Sequence, residues 1–255
     1  MSDFVNRFVN RVPPVYSLLI WIALWEVIGQ LDVAFILPPF SAVVEQLYFL
    51  VQRPLFQSAA LLTLKAFVIG MAIAITGGVA IGFIMGRNKI ANGVLGMWVN
   101  IFASAPLSSL VPVLMLLFGL GQTTIIVTVV LFSIWIIALD TYAGVHHISP
   151  SLNEMGRSFG ATRFQLLTRV LFWAALPEIL AGVRMGMIRA VKGIVIGQLL
   201  VSVVAFGRLF RTFSDNFQFE EFWALTLILF VFALGFSSAV GWLEHKVEYY
   251  AGSRI

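Results

Sequence analysis

The sequence predicts an all-α polytopic membrane protein with six transmembrane helices and both termini in the cytoplasm. Three observations predict it. Of the 255 residues, 60% are hydrophobic and only 11% charged, whereas a soluble domain carries roughly 45–50% and about 25%. With a mean hydropathy of +0.97, the chain has too little polar surface to cover a water-soluble fold of its length. The apolar residues also fall into runs close to the ~20 that cross a bilayer, separated by short polar or Gly- and Pro-marked turns. Finally, six spans place Arg7, Arg11, Arg87, Lys89, Arg157, Arg163, Arg169, Lys246 and Arg254 on one face, and Arg53, Arg208 and Arg211 on the other. The positive-inside rule makes the first face cytoplasmic. The net charge of +4 reads as this loop bias rather than as nucleic-acid binding. With no cysteine, disulfides and thiolate chemistry are excluded.

The first span is expected over about 15–31, behind a polar tail and Pro13-Pro14. Its Trp21, Trp25 and Glu26 mark a retained anchor rather than a cleaved leader, with Glu26 as an interfacial carboxylate. Pro38-Pro39 breaks the chain, Ser41 is placed to cap the next helix, and 42–51 reads as a short amphipathic helix at the surface. The second span, about 60–85, carries Gly78, Gly82 and Gly86, a G-x-x-x-G stripe that lets another helix approach closely. Lys65 near its start reads as an interfacial anchor. The third, about 94–118, is expected as one span kinked near mid-membrane by Pro106 and Pro112, where transporters build their paths. The fourth covers 123 to about 145 and holds Asp140; the fifth covers about 174–203. A polar, aromatic loop over 205–220 and a sixth span over about 222–243 complete the chain. These readings divide it into an N-terminal part (1–57), a transmembrane domain (58–243) and a cytoplasmic tail (244–255).

Between the fourth and fifth spans lies a polar insert, EMGRSFGATRFQLLTRVLFWAALP. Ser151-x-x-Glu154 has the spacing of a capping box, which predicts a helix from Leu152. Gly160 has the position of a glycine helix stop. Thr162-x-x-Gln165 is a second capping box, followed by a 3.6-residue stripe of Phe164, Leu167, Val170 and Leu171. The pattern predicts a short helix, a sharp glycine turn, and a second helix running into span five. Such a lever suits force transfer from a partner.

Glu154, Gly160 and Val170 match the EAA loop of permease subunits from ABC importers, which this segment resembles. Met155 and Gly156 stand where that family has two alanines, and Phe172-Trp173 where it has Leu-Pro. Leu176-Pro177 follows four residues later, as in the nitrate/sulfonate/taurine branch. The resemblance extends over roughly 58–243, including TLKAFVIG…IGFIMGR and SAPLSSLVPVLMLLFGLG. It implies the type I importer permease fold in a bacterial or archaeal inner membrane. It further implies a second permease copy, a dimer of ATPase subunits holding ATP and Mg, and an extracytoplasmic solute-binding protein. The coupling loop would be about 149–172, docking through Ser151, Glu154, Met155, Gly156, Ser158, Gly160, Ala161 and Thr162.

Lys65, Lys89, Lys192 and Lys246 each lack a preceding glycine, so no Walker A loop is present and ATP hydrolysis falls to another chain. His146-His147 are adjacent and diverge by about 100° on a helix, which argues against a shared metal. No cofactor is expected in this chain. In span five, Arg184, Arg189 and Lys192 lie inside an apolar run, where a charge costs at least ~2.5–3.5 kcal/mol and faces a cavity or a partner. They read either as a positive lining for an anionic solute or as partners of Asp140, Glu178 or helix-end carbonyls. With Pro106 and Gln198 they form the candidate translocation pathway. The solute is expected to be a small anion such as a sulfonate, taurine or nitrate. An organic solute such as a vitamin precursor or aromatic acid is the alternative within the same class. An ion-gradient-driven secondary transporter is the alternative outside it, and would require paired mid-membrane acids.

Overall fold

The computed structural model describes residues 14–252; Arg7, Arg11, Pro13 and Arg254 lie outside them. The described elements are all helical: α1 (Pro14–Gln30), α2 (Phe40–Gln52), α3 (Pro54–Arg87), α4 (Lys89–Ser104), a 3₁₀ turn (Leu107–Leu110), α5 (Val111–Phe118), α6 (Gln122–His146), α7 (Pro150–Ser158), α8 (Arg163–Val201), α9 (Ala205–Asp215) and α10 (Phe219–Gly252). Helices α3, α6 and α8 are long and apolar enough to cross a bilayer. Contacts divide the chain into two compact units. One comprises the chain up to Gln57 with Leu209–Ile228; the other comprises Ser58–Arg208 and the chain from Leu229 onward.

The larger unit is built around α6. In lipid, helix association draws on close packing rather than on hydrophobic burial, so small residues mark the contacts. The Gly78–Gly82–Gly86 stripe of α3 meets α6 as expected: a Cβ on Gly82 would lie 2.5 Å from the Ala138 carbonyl oxygen, and one on Gly86 2.6 Å from Val145. A second stripe, on α8, meets the same helix. Added Cβ atoms there would lie 2.7 Å from Asp140 at Gly182, 2.6 Å from Ile137 at Gly186 and 2.8 Å from Phe132 at Gly193. Ile125, Val129 and Ile137 of α6 are thereby buried with Ala66, Met71 and Ala74 of α3 and with Ala175, Ile179, Ala190 and Ile194 of α8.

The expected interruption of 94–118 is sharper than a kink. Helix α4 and the segment Leu107–Phe118 are bent by 96°. Ala105 is extended (φ −67°, ψ 150°), as the residue before a proline tends to be. Pro106 has no N–H to continue the ladder. Pro112 does not contribute to the break: it sits in the first turn of α5, where its missing N–H has no intrahelical partner to lose. The expected loop over 205–220 is corrected. Phe206, Leu209, Phe210 and Phe213 are buried at the i, i+3, i+4, i+7 spacing of a helix, and Arg208 and Arg211 project from the other side of α9. Helix α10 continues to Gly252, beyond the expected end near Leu243.

In the smaller unit Ser41 does not cap α2, which starts one residue earlier with Pro39 as its cap. The Glu26 carboxylate takes that place, accepting from the Ser41 backbone N–H and from its hydroxyl, both at 2.9 Å. An anion at a helix start also meets the positive end of the helix dipole. Glu26 thus ties α1 to α2, and Trp25 reinforces the joint by donating to the Pro38 carbonyl at 2.9 Å. Trp223 donates to the Ile36 carbonyl at 2.8 Å.

Gly186→Val is expected to lower the thermal midpoint in detergent, because overpacking a close helix contact costs about 1–3 kcal/mol. Gly93, where an added Cβ would meet nothing within 4 Å, supplies the control: Gly93→Ala should hold or raise the midpoint. Equal losses in the two variants would contradict the packing account. Glu26→Ala should speed hydrogen exchange of the first α2 amides by roughly 2- to 30-fold, the equivalent of losing a cap worth about 0.5–2 kcal/mol; exchange mass spectrometry reads it directly.

Candidate functional site

The insert between α6 and α8 folds as a helix–turn–helix whose ends are all capped. Its first cap differs from expectation. Helix α7 starts at Pro150, not Leu152, and Ser149 accepts from the Ser151 N–H at 3.3 Å. Pro150 at the first helical position explains the shift, since its fixed φ suits that site. Ser151 instead shares a hydroxyl contact of 2.7 Å with Ser149, and Glu154 is exposed. The turn is as expected. Gly160 adopts φ +74°, its N–H donates to the Arg157 carbonyl at 2.9 Å, and the Ala161 N–H donates to the Gly156 carbonyl at 3.0 Å. This pair of bonds is a Schellman motif, which needs a left-handed residue after the helix. Thr162 and Gln165 then close the predicted capping box: Thr162 N–H to Gln165 Oε1 at 2.9 Å, and Gln165 N–H to Thr162 Oγ1 at 3.3 Å.

Gly156 has a local reason. It is buried, and a Cβ there would lie 2.5 Å from Leu166 Cδ1. The glycine that weakens α7 as a helix therefore seats it on α8. Leu166 begins a π-turn, Leu166–Leu171, inside α8. Such turns insert one residue into an α-helix, and nothing in the sequence pattern predicts this one. Apolar side chains project from the turn into solvent: Met155 is 46% exposed, Phe164 73% and Phe159 85%. Ser158 bonds back to the Glu154 carbonyl at 3.0 Å. Beside the lever, Arg87, Ile148, Pro150, Asn153, Glu154 and Arg157 line an open pocket of about 280 Å³. His146 stacks on Tyr142 at 5.3 Å and meets His147 edge-on.

The five candidate pathway residues separate into different environments. Arg189 is half-buried, and its Nη1 donates to the Ala103 carbonyl at 3.0 Å. Gln198 is 2% exposed and donates to Thr63 Oγ1 at 2.8 Å, while its Oε1 has no partner. Arg184 is half-buried, and Pro106 is exposed at the α4 break. Lys192 is exposed. On α8 it shares a seven-residue rhythm of exposed positions with Glu178, Met185 and Leu199, which lie on one helix face. Lys65 is exposed on α3.

Known proteins resemble the chain over these same segments. The family model described as "binding-protein-dependent transport system inner membrane component" matches residues 78–249. The taurine transport system permease protein TauC of Escherichia coli (strain K12) is 24% identical over 230 residues, covering 86% of this chain and 84% of TauC. The glycine betaine/carnitine/choline transport system permease protein OpuCD of Bacillus subtilis (strain 168) is 32% identical over 130 residues, 51% of this chain. The chain spans just over half the length of that relative, 57%. Among solved structures, an amino acid ABC transporter crystallised with histidines aligns at a TM-score of 0.61 and 21% identity, over 76% of this chain and 94% of that one. The MetNI methionine ABC transporter, inward facing, aligns at 0.58 and 22%, over 78% and 97%. With a family model matching well over half of the sequence and a fold shared with these transporters, the chain belongs to the binding-protein-dependent transport system inner membrane components, the permease subunits of ABC transporters.

Proposed function

We propose that this chain forms the translocation pathway of an ATP-driven importer in a prokaryotic inner membrane. It would cross six times with both termini in the cytoplasm and work with a second permease copy, two ATPase subunits and an extracytoplasmic solute-binding protein. The observation that carries the reading is the lever: α7, the Gly160 turn and α8, capped at each end, with Phe159 and Phe164 exposed at its tip. Large apolar side chains standing in water on a rigid, helix-joined element are what a docking surface requires. Movement imposed on α7 passes through the Gly156–Leu166 contact into α8 and from there to α6. Alternating access then results from rigid displacement of packed helices, as in other hinge-and-shear transitions. Glu154 and Arg157, beside the pocket, are the polar groups offered to an ATPase partner.

The solute we infer is a small anion or zwitterion of the sulfonate type. Support comes from the match to the taurine permease over most of the chain and from Lys192, an exposed cation in a span of mean hydropathy 1.6. A charge at membrane depth faces water or a partner rather than lipid. The exposed stripe of α8 that holds Lys192 is accordingly the face assigned to the pathway or to the second copy. A second reading, a quaternary-ammonium solute, is favoured by the higher local identity to OpuCD.

Affinity purification from a native membrane is expected to recover a P-loop ATPase with the chain. Gly160→Pro and Glu154→Lys should each insert normally and abolish taurine-stimulated ATP hydrolysis in the reconstituted complex. Proline cannot adopt a φ of +74° and removes the N–H that Gly160 donates. Uptake that persists without ATP under a proton gradient would overturn the importer reading in favour of a secondary transporter. Stimulation by glycine betaine and not by taurine would leave the importer and replace the solute.

A further inference from the structure

We propose that Arg189 is a positioning residue that holds the break between α4 and α5 in place, so that the solute-facing cation of span five is Lys192. The break leaves backbone groups without helical partners. In an uninterrupted helix the Ala103 carbonyl would accept from the N–H of residue 107, and the Phe102 carbonyl from that of residue 106. Residue 106 is proline and has no N–H. The Leu107 N–H turns back to the Ala105 carbonyl at 2.9 Å. Helix α4 therefore ends with orphaned carbonyls inside an apolar segment, where each unsatisfied group is costly. Arg189 reaches across from α8 and donates to one of them, Ala103, at 3.0 Å. A guanidinium suits this place twice: it supplies several donors in a fixed fork, and its charge meets the negative end of the α4 dipole.

The other limb of the break also rests on α8, which touches both the 3₁₀ turn and α5. Both limbs also pack on α6, but the charge-assisted bond from Arg189 is what meets an orphaned carbonyl at the 96° bend itself. This arrangement leaves Ser104, Ser108 and Ser109 exposed around Pro106. Three exposed hydroxyl side chains within an apolar span, one of them (Ser109) donating to the Pro106 carbonyl at 2.8 Å, mark a polar lip suited to a water-filled path. Lys192, one turn along α8 from Arg189, is exposed while Arg189 is half-buried and engaged. The two cations, three residues apart on α8, therefore hold different posts.

This inference rests on the pathway reading above, yet its test requires neither ATPase nor solute. Because the chain has no cysteine, Met97→Cys and Leu116→Cys introduce the sole thiols, at exposed positions on α4 and α5. Spin labels on this pair, measured by double electron–electron resonance in lipid nanodiscs, should give one narrow distance distribution with Arg189 present. Arg189→Met should broaden or split it, and Arg189→Lys, which keeps a long cationic donor, should restore the narrow peak. An unchanged distribution in the assembled Met variant would overturn the proposal and return Arg189 to the solute-contacting cations. Should the Met variant fail to assemble, Arg189→Gln decides: it keeps a polar group that ends short of the Ala103 carbonyl, so broadening supports the pin and a wild-type distribution refutes it. Failure of the copurification above with a broadened Met distribution would leave this assignment standing and remove the importer reading.

Discussion

Everything in the larger unit depends on how closely α3 and α8 approach α6. Between lipid-embedded helices the apolar solvent is as oily as the side chains, so there is little to gain from burial alone. Stability comes from contact distance, and contact distance from the small size of the residues at the interface. Gly78, Gly82 and Gly86 on one side, and Gly182, Gly186 and Gly193 on the other, let two helices press onto α6. The two contacts differ in consequence. The α3 contact meets β-branched residues such as Val145 and Thr141, whereas the α8 contact also encloses Asp140. A bulky residue at position 182 would displace the acid as well as the helix. Helix α6 is therefore the member against which α3 and α8 are both located, and it is continuous at its C-terminal end with the chain that enters α7.

A second constraint is where the backbone groups at helix ends go, since lipid offers no water to take them. The chain answers repeatedly with a side chain from elsewhere in the sequence. Glu26 reaches Ser41 at the start of α2, Arg189 reaches Ala103 at the end of α4, and Trp25 takes the Pro38 carbonyl between α1 and α2. Each is a long-range bond spent on a short-range need. The polar insert, where water is available, answers locally instead, with Ser149, the Gly160 turn and the Thr162–Gln165 box.

That difference explains what can be read in the sequence. The Gly160 stop and the Thr162-x-x-Gln165 box are legible because their partners lie within a few residues. The α3 glycine stripe is legible as a packing face. The α8 stripe carries the same signal in Gly182-x-x-x-Gly186 and Gly193-x-x-x-Gly197, but there it is interleaved with Arg184, Arg189 and Lys192, whose charges suggest a pathway rather than a contact. The break at Pro106 is visible as a proline but not as a 96° bend, because a kink and a break differ only in which groups satisfy the freed carbonyls. Ser41 and Ser151 both offer a plausible local cap, and in each case a competitor wins: the Glu26 carboxylate in one, a serine better placed before Pro150 in the other. Helix α9 is hidden by its composition, for its period is helical while its residues look like a loop. The π-turn is not legible, and the stripe expected across it is altered: Leu166 and Leu171 are the buried residues, while Phe164 is 73% exposed.

The position of that π-turn bears on how the lever would transmit motion. A purely α-helical α8 would join the α7 contact to the membrane segment as a uniform rod. The structure instead starts the π-turn Leu166–Leu171 at the residue on which Gly156 is seated, ahead of Ala175 and Ile179 in the core that α8 shares with α6. Its first and last residues, Leu166 and Leu171, are both buried, the first of them beneath α7. A π-turn shifts the helical phase by about one residue, roughly 100°, so it sets which face of α8 meets α7 independently of which face meets α6. The turn therefore lies between the side of α8 that carries Leu166, under Gly156, and the side that carries Gly182 and Gly186, against α6. The irregular turn and the glycines thus act alike in the packing: each lets a surface of α8 meet its own neighbour, Leu166 under α7 and Gly186 against α6.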